Sequence, residues 1–244
     1  MPAPKPRPGR YRSAWPIFYV TCDLVVFTIR QAELNALLVR RAGQVKTGWW
    51  ALPGGFVREL EDIEETARRE LQEEAGIEPG QVKLAQLGAY GSPDRDPDRL
   101  PNRVVTVAWA ALGADLPDAV PGTDTDAAGW FPLAEALRMK LAFDHRRILE
   151  DGLEWARRQL EDTTLATSFC RPEFTLPELM DVYRAVWGYQ LDPRNFYRKA
   201  VRAHGFVEPT GDVCRGRGRP ARVYRAGGTT LLYPAIMRRE PSKS

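Results

Sequence analysis

The sequence predicts two domains, an α/β domain followed by a smaller domain of helices and a β-hairpin. Within residues 1–162, apolar β-branched runs are mixed with amphipathic helical patterns, which is typical of an α/β fold. The charge then changes sign. Residues 1–162 contain 21 basic and 25 acidic side chains, a net charge of −4, whereas residues 163–244 contain 14 and 7, a net charge of +7. The basic C-terminal part predicts a polyanionic partner.

Length and composition exclude several classes of protein. The 244 residues, 43% hydrophobic and 27% charged, suffice for two soluble cores. No uncharged apolar run approaches the roughly 18 residues of a membrane span. Three widely spaced cysteines and two histidines predict neither a disulfide framework nor a structural zinc site, and favour a cytoplasmic protein. We assign residues 1–14 to a disordered basic arm, 15–162 and 163–235 to the two domains, and 236–244 to a tail.

Strand patterns begin close to the N-terminus. Two apolar, β-branched runs flank a turn at Gln31–Glu33 and predict paired strands. A third run ends in a predicted turn at Gly54-Gly55, and two later runs flank a polar loop at 91–102. The five predicted strands are Ile17–Ile29, Leu34–Arg40, Trp49–Phe56, Val82–Tyr90 and Arg103–Leu112.

Helical patterns occur in three places in the first domain. The segment from about Asp62 to Ala75 repeats apolar residues every four positions and stops at Gly76. Trp130–Leu133 leads into a second helix. An amphipathic helix over about Asp144–Leu160 leads out of the domain, so we expect the boundary near 161–171. The core stripe of the first helix is expected at Ile63, Ala67 and Leu71.

The first helix carries three glutamates on one face. Glu70, Glu73 and Glu74 are spaced i, i+3, i+4. Like charges at this spacing disfavour the helix by roughly 0.2–0.5 kcal/mol per pair. The only basic residue at helical spacing is Arg69, N-terminal to Glu73. Carboxylates on one face suit Mg²⁺ or Mn²⁺, although an isolated glutamate triplet is more often a solvated acidic surface.

The residues around these glutamates resemble the Nudix box, G-x5-E-x7-R-E-U-x-E-E-x-G-U with U aliphatic. All nine specified positions match between Gly55 and Ile77. The resemblance implies a Nudix αβα sandwich over about residues 15–160. It also implies a ligand in which a nucleoside diphosphate is linked to another group.

The same resemblance assigns roles to five residues. It implies that Glu70, Glu73 and Glu74 hold Mg²⁺ or Mn²⁺, with Glu70 and Glu73 catalytic. It also implies that Glu61 orients Arg69 as a helix-positioning pair, with both residues at the ligand-binding site. The metal would neutralise the diphosphate and help to position and activate water.

A proline beyond the box narrows the predicted ligand. Pro93 lies 16 residues past the end of the box, where Nudix enzymes acting on ADP-ribose resemble each other in having a proline. A surface turn would equally justify it. Pro93 and Arg95 are therefore predicted ligand contacts. Asp94, Asp96 and Arg99 are either further contacts to ribose or phosphate or parts of a solvated loop.

The basic domain begins with two helical patterns. Thr175 and Glu178 form a capping-box pattern ahead of a helix that ends at Gly188. Asp192 and Pro193 suit the start of a second helix. The expected buried faces are Leu179, Val182, Tyr183 and Val186 on the first, and Phe196, Ala200 and Ala203 on the second.

The second helix has a polar face without an acidic residue. Its members are Arg194, Asn195, Arg198, Lys199 and Arg202. Such a face is most often merely solvated. Close behind another short helix, it suits the recognition helix of a helix-turn-helix, because Arg reads guanine or phosphate and Asn reads adenine.

Two strand-like pieces, Phe206–Glu208 and Arg222–Arg225, flank the loop Gly211–Ala221. Within this loop, residues 217–220 (Arg-Gly-Arg-Pro) resemble the core of an AT-hook, whose arginines enter A·T-rich minor grooves. A hairpin after a recognition helix predicts a wing. We therefore expect a C-terminal winged helix-turn-helix domain rather than an unrelated basic helical domain. Its further predicted DNA contacts are Arg217, Arg219 and Arg222.

Over nearly the whole chain the arrangement resembles the NrtR family, Nudix-related transcriptional regulators of NAD metabolism. The family implies a homodimeric repressor on a palindromic operator, released by ADP-ribose. Many such regulators have a degraded Nudix box, whereas this box is complete. The resemblance is carried by Trp50–Phe56, Tyr90–Pro97, Leu141–His145, Arg194–Lys199 and Gly218–Ala221.

Three functions remain open from the sequence. The first is a repressor that senses ADP-ribose or a related NAD breakdown product, and the second is a Mg-dependent ADP-ribose pyrophosphatase with an accessory basic domain. The third, an RNA phosphohydrolase, explains the charge but neither Pro93 nor the helix-turn-helix. Salt-dependent, sequence-selective binding to duplex DNA would distinguish the first. For hydrolysis, the candidate general bases are Asp124 and Asp126.

Overall fold

The computed structural model describes residues 15, 17–99, 103–122, 125–214 and 220–238. The chain divides into two compact units, and the division passes through one helix between Gly152 and Leu153. The domain bounds 15–162 and 163–235 stay a prediction. The first unit comprises Met1–Phe27, Ala36–Ala111 and Pro117–Gly152, and the second comprises Thr28–Asn35, Leu112–Leu116 and Leu153–Ser244.

A seven-stranded sheet forms the framework of the α/β part of the chain. Its strands follow the order β3-β2-β1-β6-β5, while β4 pairs with β1 and β7 pairs with β2. Four of the five predicted strand regions are confirmed, the third (Trp49–Phe56) divides into the two short strands β3 and β4, and β7 is a strand that the sequence did not predict. The strands are β1 (Phe18–Arg30), β2 (Glu33–Arg41), β3 (Trp50–Ala51), β4 (Gly54–Phe56), β5 (Lys83–Tyr90), β6 (Arg103–Leu112) and β7 (Thr125–Pro132).

Gly54 and Gly55 lie in strand β4, so the turn predicted at these two residues is wrong. In β4, Gly55 pairs with Cys22 of β1. A Cβ on Gly54 would lie 2.2 Å from the carbonyl oxygen of Cys22. Gly54 therefore allows a close approach of two backbones rather than a reversal of the chain.

Both faces of β1 are covered. Every residue from Thr21 to Thr28 is buried, as expected for a strand inside a sandwich rather than one with a solvated face. The helix α3 (His145–Asp162) contributes to this cover. A Cβ on its Gly152 would come within 2.8 Å of Val25 on β1.

The Nudix-box helix, α1 (Ile63–Ala75), begins and ends where the sequence predicts. Asp62 and Glu65 form a capping box, and Gly76 ends the helix in the left-handed conformation with φ 64°. The predicted core stripe needs one correction, because Ile63 is 37% exposed. The buried residues of α1 are Thr66, Ala67, Glu70, Leu71, Glu74 and Ala75.

The second unit contains a helix-turn-helix and a three-stranded sheet. The helices α4 (Leu176–Trp187) and α5 (Pro193–Arg202) pack through aromatic rings, with the Tyr183 and Phe196 centroids 5.0 Å apart. The predicted caps at Thr175 and Asp192 and both predicted buried faces are confirmed. The strands β8 (Glu173–Thr175), β9 (Val207–Cys214) and β10 (Ala221–Ala226) follow the order β8-β10-β9.

The remaining elements are short. A four-residue helix, α2 (Leu133–Ala136), follows β7 as the sequence predicts, and 3-10 turns lie at Pro79–Gln81, Pro97–Arg99 and Thr164–Phe169. Among the described residues, no helix has the length and apolar character needed to cross a bilayer.

Candidate ligand and DNA sites

The Nudix-box residues line a cavity of about 780 Å³ in the first unit. Its volume lies within the range of small-molecule sites. The glutamates of α1 form one part of the wall together with β4. Strands β1 to β3 contribute Tyr19, Val39 and Ala51, and the neighbouring loops contribute Arg58 and Asp98.

Arg69 joins the acidic residues of the box. Its Nε and Nη2 donate to the two carboxylate oxygens of Glu61 at 2.7 and 2.9 Å. Its Nη1 donates to Glu70 at 2.5 Å and to Glu73 at 3.0 Å, and Nη2 also reaches the Phe56 carbonyl. These bonds raise the pKa of Arg69, with the Glu61 contact the largest cause. The implied pairing of Glu61 with Arg69 is present.

Glu61 is held as a carboxylate. The bonds from Arg69, together with the Arg58 backbone N–H and the Thr66 hydroxyl, lower its pKa from 4.5 to about 2. Its side chain is 14% exposed. Glu61 therefore positions Arg69 and anchors the loop before α1.

Replacing Glu61 with Gln should lower the free energy of unfolding by about 2 kcal/mol at pH 7, because charge-assisted hydrogen bonds are lost. The folded-state pKa of Glu61 is lower than its ordinary value, so this stabilisation is complete above about pH 5 and declines as the pH falls towards 2. Urea unfolding of both proteins between pH 7 and pH 3 measures the difference. A difference that stays constant over this range would contradict the assignment.

Two of the three glutamates are buried against glycines. Glu70 and Glu74 are each 6% exposed. A Cβ on Gly55 would lie 2.2 Å from an oxygen of Glu70, and one on Gly122 would lie 2.4 Å from an oxygen of Glu74. Burial raises the pKa of Glu70, against the lowering effect of Arg69. Glycines at these positions make room for carboxylates within the cavity wall.

Glu73 is more exposed and has two guanidinium partners. Besides Arg69, Arg58 donates from Nη2 to both Glu73 oxygens at 3.1 Å. Partial burial acts to raise the pKa of Glu73, but the two arginines lower it overall. Sequence reasoning missed Arg58, which occupies an unspecified position of the box and lies 15 residues from its partner.

A metal ion does not fit the glutamates as they are arranged. Three carboxylates at one cavity are the donors that Mg²⁺ prefers. However, Glu70 and Glu73 are paired with guanidinium groups. In the described part of the chain, no three His, Cys, Asp or Glu side chains are placed to hold a metal ion together.

The predicted ligand contacts Pro93 and Arg95 are not among the residues that line the cavity of the glutamates. Pro93 is exposed, and its loop borders a separate cavity of about 430 Å³. Arg95 is 7% exposed. Its Nη2 donates to Asp23, and its Nε donates to Asp144 at 3.1 Å. Arg95 therefore joins β1 to the start of α3, and its role as a ligand contact stays a prediction.

His145 extends this buried network. Its Nδ1 accepts a hydrogen bond from the Leu52 backbone N–H at 2.9 Å, so its proton is on Nε2, which lies 3.5 Å from Asp23. Burial lowers the pKa of His145 and raises that of Asp144. The network thus connects β1, the Pro93 loop and α3 through groups that are mostly withdrawn from water.

Of the two candidate general bases, the described part of the chain includes only Asp126. Asp126 forms an exposed ion pair with Arg40 at 2.7 Å and is not among the residues that line the cavity of the box. Asp124 lies outside the described residues.

The predicted recognition helix presents part of its polar face to solvent. Arg194, Arg198 and Arg202 are exposed, while Asn195 and Lys199 are half-buried. Arg198 donates to the Asn195 side chain at 2.9 Å. Lys199 lines a small cavity beside Trp187, so the three arginines are the residues of this face most open to a partner.

The predicted wing is a β-hairpin. Strands β9 and β10 are antiparallel, and Arg222 pairs with Val213 and is exposed. Arg217 and Arg219 lie outside the described residues, so their DNA contacts stay a prediction.

Comparison with known families assigns the Nudix-box cavity and the predicted DNA-binding helix to two different domains. Residues 22–152 match the NUDIX domain, and residues 167–226 match the NrtR DNA-binding winged helix domain. Each match covers the region in which the corresponding site was found.

Individual proteins are similar over most of the chain. The ADPR responsive transcriptional repressor NtrR of Acinetobacter baylyi is 32% identical over 88% of this chain and 84% of its own. Shewanella oneidensis NrtR complexed with a 27mer DNA is 31% identical, with a TM-score of 0.72 over 85% of this chain and 93% of that one. The NUDIX domain of the same protein, complexed with ADP ribose, is 34% identical, with a TM-score of 0.53 over 59% of this chain and 91% of that one. The chain therefore belongs to the NrtR family, with a Nudix domain followed by a winged-helix DNA-binding domain.

Proposed function

We propose that this chain is a transcriptional repressor of NAD-metabolism genes that binds operator DNA through its winged helix and ADP-ribose through its Nudix domain. The observation that carries the proposal is the presence in one chain of a Nudix-box cavity and a helix-turn-helix with exposed arginines. The relatives described above support it, since one is named as an ADP-ribose-responsive repressor and another was solved with both ligands in separate structures.

The lining of the Nudix cavity suits the parts of ADP-ribose. Arg41, Arg58 and Arg69 line it and bring guanidinium groups, which recognise phosphate oxygens. Tyr19 and Phe56 also line it, with ring centroids 5.8 Å apart, and provide aromatic surface for a base. We infer that the diphosphate lies towards the arginines and the adenine towards this aromatic pair.

The protein is proposed to act as a homodimer. Exposed apolar side chains lie on both faces of the start of β1, with Ile17 (50%) and Phe56 (41%) on one face and Phe18 (42%) and Val20 (37%) on the other. A concentration of exposed apolar side chains favours an interaction surface. Two copies would present two recognition helices to the halves of a palindromic operator.

Selection of genomic DNA tests the regulatory role. Fragments retained by the purified full-length chain at 150 mM salt would be sequenced, with and without ADP-ribose. We expect enrichment of a palindromic motif upstream of NAD-metabolism genes and its loss when ADP-ribose is present. Enrichment without a shared motif, or upstream of unrelated genes alone, would contradict the proposal.

Replacing Arg194 or Arg198 with Ala should weaken operator binding by about 1–3 kcal/mol, roughly 5- to 150-fold, where a bidentate base contact is lost. Fluorescence anisotropy at fixed salt measures the change. Arg171→Ala is the matched control, because Arg171 is an equally charged, exposed residue of the same unit, paired with Asp115. Equal losses for the control and the helix variants would indicate a charge effect without recognition.

Hydrolysis of the ligand is a second candidate function. It is favoured by the complete box between Gly55 and Ile77, and we propose Mg²⁺ or Mn²⁺ as its cofactor, which would first have to displace the guanidinium groups paired with Glu70 and Glu73. Release of AMP and ribose 5-phosphate from ADP-ribose, abolished by EDTA and by Glu73→Gln, would support it. Such turnover is compatible with a repressor, whereas failure to bind DNA is not.

A further inference from the structure

A complete Nudix box and the absence of a converged metal site in the described residues need a common explanation. The donors are present, since Glu70, Glu73 and Glu74 all line the cavity. Glu73 is the most open of the three, with 47% of its side chain exposed. It is also the one with two guanidinium partners, so these partners are the feature of this chain that opposes a metal ion.

Of these two partners, Arg58 is the one that can leave. Arg69 is 15% exposed and bound to Glu61 through both carboxylate oxygens, so it is part of the folded loop. The Arg58 side chain is 60% exposed. Only its backbone is fixed, through the N–H bond to Glu61. An exposed ion pair is weak and easily exchanged.

We propose that Arg58 is an internal counter-ion that competes with a divalent cation for the carboxylate of Glu73. With Arg58 in place, both Glu73 oxygens accept from its Nη2, and a cation must displace the guanidinium before it can bind. The Arg58 charge also repels a cation directly. In this way a chain can retain every glutamate of the box and its ligand cavity while it binds little metal.

This inference rests on the Nudix cavity being the ligand site of the proposed function, but its test needs neither DNA nor ADP-ribose. Mn²⁺ would be titrated into the full-length chain at pH 7.5, with free Mn²⁺ measured by electron paramagnetic resonance. We expect Arg58→Ala to bind the first Mn²⁺ about 3- to 10-fold more tightly than wild type, the range set by losing one weak, exposed ion pair and its charge.

Arg68→Ala is the matched control. Arg68 lies on α1, the helix of Glu73, and is exposed to a similar degree as Arg58. It pairs with Glu64 at 2.6 Å, so its removal changes the net charge equally without freeing Glu73. We expect little change in Mn²⁺ affinity for this variant. The gain in Arg58→Ala should also vanish when Glu73→Gln is added to it.

Three outcomes would overturn the proposal. Equal tightening in Arg58→Ala and Arg68→Ala would indicate a general charge effect. Unchanged or weaker Mn²⁺ binding in Arg58→Ala, including no binding in any variant, would mean that releasing Glu73 does not create a cation site. A gain that survives Glu73→Gln would place the cation elsewhere. None of these results depends on repression, so the proposed function would be judged separately.

Discussion

ADP-ribose at saturation is expected to lower the affinity of this chain for operator DNA by about 5- to 150-fold, the usual range of coupling between two sites in one protein. The ligand achieves this only if it binds the DNA-competent arrangement of the chain less tightly than another arrangement. A sensor that bound both equally would not respond, whatever its affinity.

The chain provides a covalent route for such coupling. The helix α3 spans His145–Asp162, and its residues belong to the first unit up to Gly152 and to the second unit from Leu153. Its start adjoins the buried network of Arg95, Asp23 and Asp144, which includes the loop after β5. A ligand that shifts this loop therefore acts on groups bonded to the beginning of the helix.

The coupling must be reciprocal, and this gives the sharpest measurement. Operator DNA should weaken ADP-ribose binding by the same factor by which ADP-ribose weakens DNA binding. ADP-ribose affinity would be measured by calorimetry with and without operator, at one salt concentration because DNA affinity depends steeply on salt. A DNA fragment with a scrambled operator is the control. Equal ADP-ribose affinities with operator and with scrambled DNA would mean that the two sites are not coupled and would contradict the proposed sensor role.

The parts of the fold with dense local signals could be predicted from the sequence. The Nudix-box helix is defined by the cap at Asp62, the stop at Gly76 and a motif with nine specified positions. Likewise, Thr175 and Asp192 cap α4 and α5 through side-chain contacts within three residues. Because these interactions are local, the order of residues alone determines them.

The features that the sequence did not reveal depend on contacts between distant residues. Strand β7 forms by pairing with β2. Position 54 requires a glycine because the Cys22 backbone approaches it closely. Arg58 was missed since only the fold brings it to Glu73. Arg95 lies against a carboxylate 72 positions away, a contact that its predicted role at the ligand did not include. Sequence spacing carries no signal for such pairs.

The largest expected loss of stability follows from this last pair. Arg95 is the guanidinium between Asp23 and Asp144, and the side chains of Arg95 and Asp23 are 4% and 9% exposed. Arg95→Ala would leave two carboxylates without their shared cation in a place that water reaches poorly. Removing one partner of a buried ion pair costs about 3–5 kcal/mol, so we expect the free energy of unfolding to fall by that amount at pH 7.

A matched exposed pair in the same unit gives the control. Arg40 contacts Asp126 at 2.7 Å, but their side chains are 43% and 48% exposed. Arg40→Ala should therefore cost less than about 1 kcal/mol, as exposed ion pairs do. Urea unfolding followed by tryptophan fluorescence compares the two variants with wild type. Losses within 1 kcal/mol of each other would mean that burial does not govern the Arg95 network.

The pH dependence of the Arg95→Ala loss identifies its cause. Burial already raises the pKa of Asp144, against the lowering effect of Arg95, so removing the guanidinium should raise that pKa further. A carboxylate whose folded-state pKa is raised destabilises the fold increasingly as the pH rises above its unfolded value. The loss should therefore be largest near pH 7 and shrink as the pH falls towards 4, where protonation removes the unpaired charge. A loss caused only by the missing side-chain volume would not vary with pH. If the unpaired carboxylates cause the loss, Arg95→Lys, which keeps the positive charge, should recover part of the stability.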